Sequence, residues 1–377
     1  MNVMKPNNPF LITGYYSPEY FCDRTQETGT MTDALHNGRN ITLVAPRRMG
    51  KTGLIKNVFH KLREEKSGIV TLYMDIFSTQ STTDFVKLFA ATVLGSLDTA
   101  PQKTMNRIAK FIKSCRPVFT VDPLTGAPKV TIDIAADSEQ ATLKEIFDYL
   151  GSAEKRCYIA IDEFQQITEY PEKGLEAQLR SYIQFIPNVN FIFSGSKQHV
   201  MQEMFMSAKR PFYQSTQIVS IDRIDQAEYY RFSARFFKAQ GFDLTEDTFD
   251  YIYRNFEGHT WYVQAILNRL YGYNRQPDEK TVDEAVAEIV AESTYTYENL
   301  LTAYPATSVK LLKAIAKSQP VKEINSGQFI ADNRLKAASS VNTALKKLLN
   351  NELVYKTPEG YIIYDRFMAI WLRLQEY

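Results

Sequence analysis

Cysteine is scarce in this chain: Cys22, Cys115 and Cys157 lie far apart among 377 residues. That spacing argues against a disulfide framework and against a cysteine-based zinc site. Histidine is nearly as rare, and His36, His60, His199 and His259 form no metal-ligand pattern. Long apolar runs are missing as well, since no stretch approaches the roughly 18 apolar residues of a membrane span. The opening residues, MNVMKPNNPFLITGYY, carry one lysine and no apolar run long enough for a signal sequence. The expectation is a cytoplasmic chain that does not enter the membrane. The run Phe367–Leu374 is far too short to span, and its apolar residues suit packing against a core.

Aromatic residues, in contrast, are abundant. With 23 Tyr and 23 Phe, 44% hydrophobic and 23% charged residues, the composition is that of a globular protein able to bury a sizeable core. The length is too great for one ordinary core, so two or three domains are expected. The formal net charge of +1 covers an internal contrast. Residues 221–300 hold 8 Lys and Arg against 15 Asp and Glu, whereas residues 301–377 hold 11 against 6. Such a contrast suits modules with different neighbours, and equally an ordinary solvated surface.

Along the first 222 residues, short apolar runs alternate with helical patterns. Strands are expected at Asn40–Ala45, Gly68–Asp75, Cys157–Ile161 and Asn190–Ser194, with Gln217–Ile221 as an edge strand. Helices are expected at Lys51–Glu65, Thr82–Leu97, Ser138–Leu150 and Leu175–Phe185. Pro117–Asp133 reads as two short strands around DPLTGAP. Alternation of this kind means βαβ units and a mostly parallel sheet. Residues 223–303 read as helices alone, at Gln226–Gln240, Glu246–Phe256, Thr260–Gly272 and Thr281–Ser293. Residues 304–377 give helices at Thr307–Lys317, Gly327–Asp332 and Ala337–Asn350, then strands Leu353–Lys356 and Tyr361–Tyr364 around TPEG. Three helices followed by a hairpin is the order of a winged helix-turn-helix.

The chemistry starts at Ala45-Pro46-Arg47-Arg48-Met49-Gly50-Lys51-Thr52, between an expected strand and an expected helix. In a phosphate loop the backbone N–H groups at the helix start wrap the phosphates, and the helix dipole favours negative charge there. Gly50 allows close approach, Lys51 reaches the β- and γ-phosphates, and the Thr52 hydroxyl ligates Mg²⁺. Ala45 stands where the pattern G-x-x-x-x-G-K-[ST] has glycine, which puts the loop geometry in question. Further on, Tyr158–Ile161 leads into Asp162-Glu163 at the end of an apolar strand, where open α/β sheets bind ligands. Asp162 there can hold Mg²⁺ through its water shell and Glu163 can deprotonate an attacking water. Asp162 also suits a helix N-cap. Phe193-Ser194-Gly195-Ser196 is a third strand end, with Ser194 ahead of Ser196 as a γ-phosphate or water contact, and with an ordinary turn as the other reading.

Together these motifs resemble the AAA-like ATPases of the STAND type, in particular the archaeal and bacterial ATPase family of the MNS type. Asn8-Pro9-Phe10, then Phe21-Cys22-Asp23-Arg24 and Glu27, looks like the entry segment that packs near the adenine in that family. Pro46 through Thr52 is close to its G-P-R-R-x-G-K-[ST] loop, and Ile161-Asp162-Glu163-Phe164-Gln165 looks like its strand end. Ser194-Gly195-Ser196, Met204-Phe205 and Arg210-Pro211-Phe212-Tyr213 are similar to the segment after its sensor strand. The resemblance covers nearly the whole chain. It implies a P-loop NTPase (AAA-like) parallel-sheet core over residues 1–222, a helical lid over 223–303 and a C-terminal winged helix-turn-helix over 304–377. It also implies a switch-type ATPase with ATP and Mg²⁺ as ligands, contacted by Phe21, Arg24 and the loop from Pro46 to Gly53. Two departures stand out. The lid motif G-x-P is Gly258-His259-Thr260 here, which leaves the role of His259 open between a lid contact and a cap or core residue. Gln214-Ser215 stands where relatives commonly have an arginine, so Arg210 is a candidate arginine finger, or else an exposed arginine facing solvent.

In the last module Lys336, Ser339, Ser340, Asn342, Lys346 and Lys347 supply donors suited to phosphates and base edges. The net charge there is only modestly basic, and fold alone does not assign DNA binding. DNA, an unknown protein partner and self-association all stay open as partners, and no base-reading motif separates ATP from GTP.

Overall fold

A computed structural model describes residues 5–65, 68–96, 112–121, 128–135 and 138–375. It divides into two compact units, residues 1–232 with 259–261, and residues 233–258 with 262–377.

The first unit is built on strands β1 (Ile41–Val44), β2 (Ile69–Asp75), β3 (Cys115–Val121), β4 (Pro128–Ile134), β5 (Arg156–Asp162), β6 (Val189–Gly195) and β7 (Gln217–Ser220). Five of them form one sheet in the order β2-β5-β6-β1-β7, every neighbouring pair parallel. The helices are α1 (Thr25–His36), α2 (Lys51–Glu65), α3 (Thr82–Ser96), α4 (Glu139–Gly151), α5 (Leu175–Ile183) and α6 (Gln198–Met206). Because a strand's side chains alternate between faces, each central strand feeds two cores. Cys157, Ile159 and Ile161 join Phe191 and Phe193 on one face, with α3, α4, α5 and α6. Tyr158, Ala160 and Ile192 join Met31, Leu54, Ile55 and Val58 on the other, with α1 and α2. Burial on both faces is why these strands read as unbroken apolar runs.

β3 and β4 pair antiparallel, from Cys115↔Ile134 to Val121↔Pro128, as the expected hairpin. Its turn, residues 122–127, lies outside the described residues, as does Leu97 at the end of the helix expected over Thr82–Leu97. α1 was not expected at all: its sequence TQETGTMTDALH has few apolar residues, and Met31, Ala34 and Leu35 alone anchor it to the core.

The remaining elements are α7 (Gln226–Gln240), α8 (Glu246–Asn255), α9 (Thr260–Tyr273), α10 (Glu279–Thr302), α11 (Ala306–Ser318), α12 (Gly327–Asp332), α13 (Ala338–Asn350), β8 (Val354–Thr357), β9 (Gly360–Ile363) and α14 (Arg366–Leu374). Asp278 starts α10 with a capping box, its carboxylate accepting the Thr281 N–H while the Thr281 hydroxyl accepts the Asp278 N–H. In the second unit α11 packs on α13 and α14, and α10 packs on α14. β8 and β9 form an antiparallel ladder, and Val321 bridges to Tyr361 to extend it. Gly360 is required there: it sits at φ +143°, and a Cβ would come 2.6 Å from the Val321 carbonyl carbon. Among the described residues no helix is long and apolar enough to cross a membrane.

Candidate nucleotide site

β1 ends at Val44 and α2 begins at Lys51, so the loop between them lies at the carboxyl edge of the sheet, where α/β folds bind ligands. Gly50 supplies a left-handed turn at φ +92° in open space, and Arg48 takes φ +64°. Ala45 is fully buried in the α1–α2 core and is not among the residues with positive φ. Its methyl group therefore costs the loop no backbone strain. Lys51 is buried, and its Nζ donates to the carbonyls of Ala45 at 2.9 Å and Pro46 at 3.0 Å. Burial holds the Lys51 pKa below the ordinary lysine value, with Glu163 and Asp162 pulling the other way.

Asp162 closes β5 and is almost fully buried. Its Oδ2 accepts the Thr52 hydroxyl at 2.7 Å and the Tyr73 hydroxyl at 2.8 Å, and its Oδ1 accepts the Glu163 N–H at 3.1 Å. Tyr73 comes from β2, the neighbouring strand, and no motif pointed to it. Burial first and then the Asp162 carboxylate push the Tyr73 phenol far above its ordinary pKa. Asp75 lies beside Asp162 in the β2–β5 register, and burial raises its pKa, helped by Asp162 and Glu163 and opposed by the Phe77 N–H.

Glu163 takes φ +56°, a left-handed conformation that a non-glycine residue holds only where its surroundings fix it. Its Oε2 accepts Ser196 Oγ at 2.8 Å and also the amide of Gln165. Arg47 Nε in turn donates to Ser196 Oγ at 3.3 Å, which ties the phosphate loop to Glu163 through one hydroxyl. Beneath this network Phe164, Phe193, Phe205 and Phe212 form a buried ring cluster, with centroids 4.5–5.9 Å apart. Each buried ring contributes about 1.5–3 kcal/mol, so the strand end that carries Glu163 rests on a firm base. Gly195 is needed for space: a Cβ there would come 2.3 Å from Gln165 Oε1 and 2.5 Å from Met201 Sδ.

Ser194 and Ser196 exchange the ranks expected from sequence. Ser196 touches Glu163, whereas Ser194 lies inside the sheet opposite Leu43, fully buried, and its hydroxyl has no hydrogen-bond partner among the described residues. Arg210 does not join the cluster. Its guanidinium pairs with Glu176 at 2.6 Å and with Glu203 at 3.4 Å, so it is neither a free finger nor an arginine facing solvent. Tyr73 is the member that sequence reasoning missed, and Gln165 was legible only as the last residue of the strand-end motif.

The entry segment closes the loop from the other side. Arg24, at φ +65° and buried, donates to Glu27 at 2.9 Å, to the Met49 carbonyl at 3.4 Å and to Thr260 Oγ1 at 3.5 Å. The Phe21 ring lies against Gly53, where a Cβ would sit 3.0 Å from the ring. Arg48 stacks over the Trp261 ring at 4.1 Å, and Trp261 Nε1 donates to the Ile12 carbonyl at 3.2 Å. Thr260 and Trp261, which make these contacts, directly follow His259 and belong to the first unit.

Among the described residues no group of three or more His, Cys, Asp or Glu is placed to hold a metal ion by itself. One hydroxyl and one carboxylate 2.7 Å apart nevertheless fit Mg²⁺, which keeps several waters and binds through one or two carboxylates together with substrate phosphates.

Comparison with known proteins agrees with this geometry. Residues 21–266 match an ATPase domain predominantly from Archaea, and residues 295–374 match a winged helix domain. Among solved structures, the Walker-type ATPase PABY2304 of Pyrococcus abyssi is 17% identical, with a TM-score of 0.64 over 97% of this chain and 100% of that one. The Aeropyrum pernix ORC2 protein, solved as ADPNP–ADP complexes, is 16% identical, with a TM-score of 0.59 over 98% of this chain and 96% of that one. No curated protein gives a significant match. The fold is an α/β P-loop NTPase core followed by a winged helix domain, and the chain belongs to the family of ATPase domains found predominantly in Archaea.

Proposed function

We propose that the chain binds ATP with Mg²⁺ and hydrolyses it slowly, as a switch of the STAND type. The observation that carries this reading is the meeting of Thr52, Asp162 and Glu163 beside Lys51, with Glu163 tied back to the phosphate loop through Ser196 and Arg47. The ORC2 neighbour binds ADPNP and ADP, a ligand class that this site also fits.

The division of labour follows from the atoms. Backbone N–H groups from Arg47 to Gly53 wrap the phosphates, and Lys51 leaves the loop carbonyls to reach the β- and γ-phosphates. Thr52 and Asp162 would hold Mg²⁺, which would supply positive charge to neutralise the phosphate oxygens. Glu163 keeps one oxygen engaged with Ser196 and Gln165 and takes the water's proton on the other. The water oxygen bonds to the γ-phosphorus as the bond to the β–γ bridging oxygen breaks, giving ADP and inorganic phosphate. Phe21 and Arg24 face the nucleoside end.

The working division is a core over residues 1–222, a lid over 223–303 and a winged helix over 304–377, with nucleotide state governing how the last is held. A nucleotide can shift such an equilibrium only by its different affinity for the two states. Limited proteolysis tests this: the C-terminal module is cut at different rates with ATP, with ADP and without nucleotide, and equal rates would sink the switch.

A second reading, DNA contact through the winged helix, rests on one face of α13. Ser339, Asn342, Thr343, Lys346 and Lys347 are exposed there without an acid among them, beside a cleft of about 320 Å³ lined also by Thr307 and Ser308. It requires duplex affinity that falls steeply with salt and drops when Lys346 and Lys347 become Glu. Affinity unaffected by the double substitution leaves a protein partner, or a second copy of the chain, as the target.

A further inference from the structure

Asp162 has an unequal pair of oxygens. Oδ2 accepts two hydroxyls, from Thr52 at 2.7 Å and Tyr73 at 2.8 Å, whereas Oδ1 accepts only the Glu163 N–H, at 3.1 Å. A carboxylate oxygen offers two lone pairs, so Oδ2 is filled and Oδ1 keeps one vacant. Thr52 can ligate a metal through its oxygen while still donating its proton, so its bond to Oδ2 is compatible with an occupied site. The Tyr73 bond is independent of the ligand altogether, since β2 brings it to Asp162 from the neighbouring strand. In the register Tyr73 stands opposite Ala160, two positions before the Asp75–Asp162 pair. The ring packs partly buried against the α1–α2 core and lies 5.2 Å from Lys56 Nζ, one turn beyond Thr52 on α2. Ring and hydroxyl are therefore fixed from two sides, the hydroxyl meeting Asp162 at 2.8 Å and lying beside the Thr52 hydroxyl.

We propose that Tyr73 is a positioning residue for the metal–nucleotide site, holding Asp162 so that its remaining Oδ1 lone pair meets the ion through the ion's water shell. The inference rests on the ATP·Mg²⁺ reading above. With Oδ2 filled, Asp162 cannot close on a cation as a bidentate ligand, and the one vacant lone pair on Oδ1 suits a water hydrogen. Such a carboxylate favours Mg²⁺, which dehydrates reluctantly, over divalent ions that exchange water for carboxylate readily. Tyr73 thereby sets ion preference without touching ion or substrate. Groups that orient metal ligands from behind change metal affinity by about 10- to 100-fold when removed.

The test reads binding rather than turnover. A fluorescent methylanthraniloyl-ATP is titrated onto wild type, Tyr73→Phe and Tyr73→Met in EDTA, then with rising Mg²⁺, and separately with rising Mn²⁺. Phe deletes one oxygen and keeps the ring, and Met keeps apolar bulk if Phe packs poorly. The expected result is unchanged metal-free binding, a Mg²⁺ half-saturation raised about tenfold, and a Mn²⁺ half-saturation raised far less. Mg²⁺ and Mn²⁺ curves that coincide with wild type overturn the inference and leave Tyr73 as packing. So does a parallel loss of metal-free binding, which marks a structural defect. If wild type itself binds nucleotide with no response to either ion, the Mg²⁺ reading falls first and takes this inference with it. In the other two overturning cases wild type responds normally, so the two failures are told apart.

Discussion

Replacing Ser194 and Ser196 separately by alanine should give different results, although the two residues are only two positions apart and chemically identical. Ser196 Oγ donates to the Glu163 carboxylate at 2.8 Å and accepts Arg47 at 3.3 Å. A hydrogen bond to a charged group contributes about 1.5–3 kcal/mol. Gln165 still holds the same Glu163 oxygen in the variant, so only part of that loss reaches the transition state. Phosphate release by Ser196→Ala should fall about tenfold, equivalent to about 1.4 kcal/mol. Ser194 is fully buried and its hydroxyl has no partner among the described residues. An unsatisfied buried hydroxyl costs about 1–3 kcal/mol, against which Ser194→Ala leaves only a small void. The expected outcome is an unchanged rate and a melting temperature higher by about 2–4 °C, the shift that about 1 kcal/mol gives in a unit of this size. The assay is phosphate release at saturating ATP, paired with a thermal melt of each variant. A tenfold loss in Ser194→Ala with full activity in Ser196→Ala would refute the reasoning.

Further outcomes follow from the same contacts. Gly195→Ala drives a methyl into Gln165 Oε1 and Met201 Sδ. It should destabilise the first unit by about 1–3 kcal/mol and slow phosphate release, read by melting and turnover together. Arg366→Met removes a buried guanidinium that donates to the Ile363 and Tyr364 carbonyls, to Tyr355 Oη at 2.7 Å and to Glu257 at 3.0 Å. Glu257 is half exposed, so solvent screens that pair, and a loss of about 2 kcal/mol in the second unit is expected by denaturant unfolding. Glu176 has its pKa raised by burial, with Arg210 opposing. The folded state therefore binds a proton that the unfolded state has released, and stability falls as pH climbs from the ordinary glutamate value through the raised one. Melting curves of wild type and Glu176→Gln should diverge across that window, with wild type losing ground, and run parallel above it.

The sequence made the frame of this fold readable because sheet interiors are apolar without interruption. Asn40–Ala45, Cys157–Ile161 and Asn190–Ser194 announce β1, β5 and β6 to within two residues. The phosphate loop and the Asp162-Glu163 strand end were visible for the same reason, as polar residues set against apolar runs. α1 was not, since four threonines and a glycine mask a helix held mainly by tertiary packing. α10 ran on to Thr302 through TYTYENLLT, whose β-branched and aromatic residues made Ser293 look like its end. The site fared unevenly because contacts across strands depend on order and register. Strand order β2-β5-β6-β1-β7 brings Tyr73 to Asp162 and Ser196 to Glu163, and nothing local to Tyr73 signals it. The end of β6 at Gly195 decided between the serines: Ser194 lies within the strand and Ser196 just beyond it, where it reaches Glu163. Arg210 lost its proposed freedom to Glu176, 34 residues away in sequence.

The central claim is tested most directly by measuring ATP and ADP binding with Mg²⁺ to wild type and Lys51→Ala, together with phosphate release by wild type and Glu163→Gln. The account predicts that wild type binds both nucleotides, that Lys51→Ala binds neither, and that Glu163→Gln binds ATP but releases no phosphate. Wild type that binds neither nucleotide would contradict it, and would leave the chain as a scaffold built on an ATPase fold.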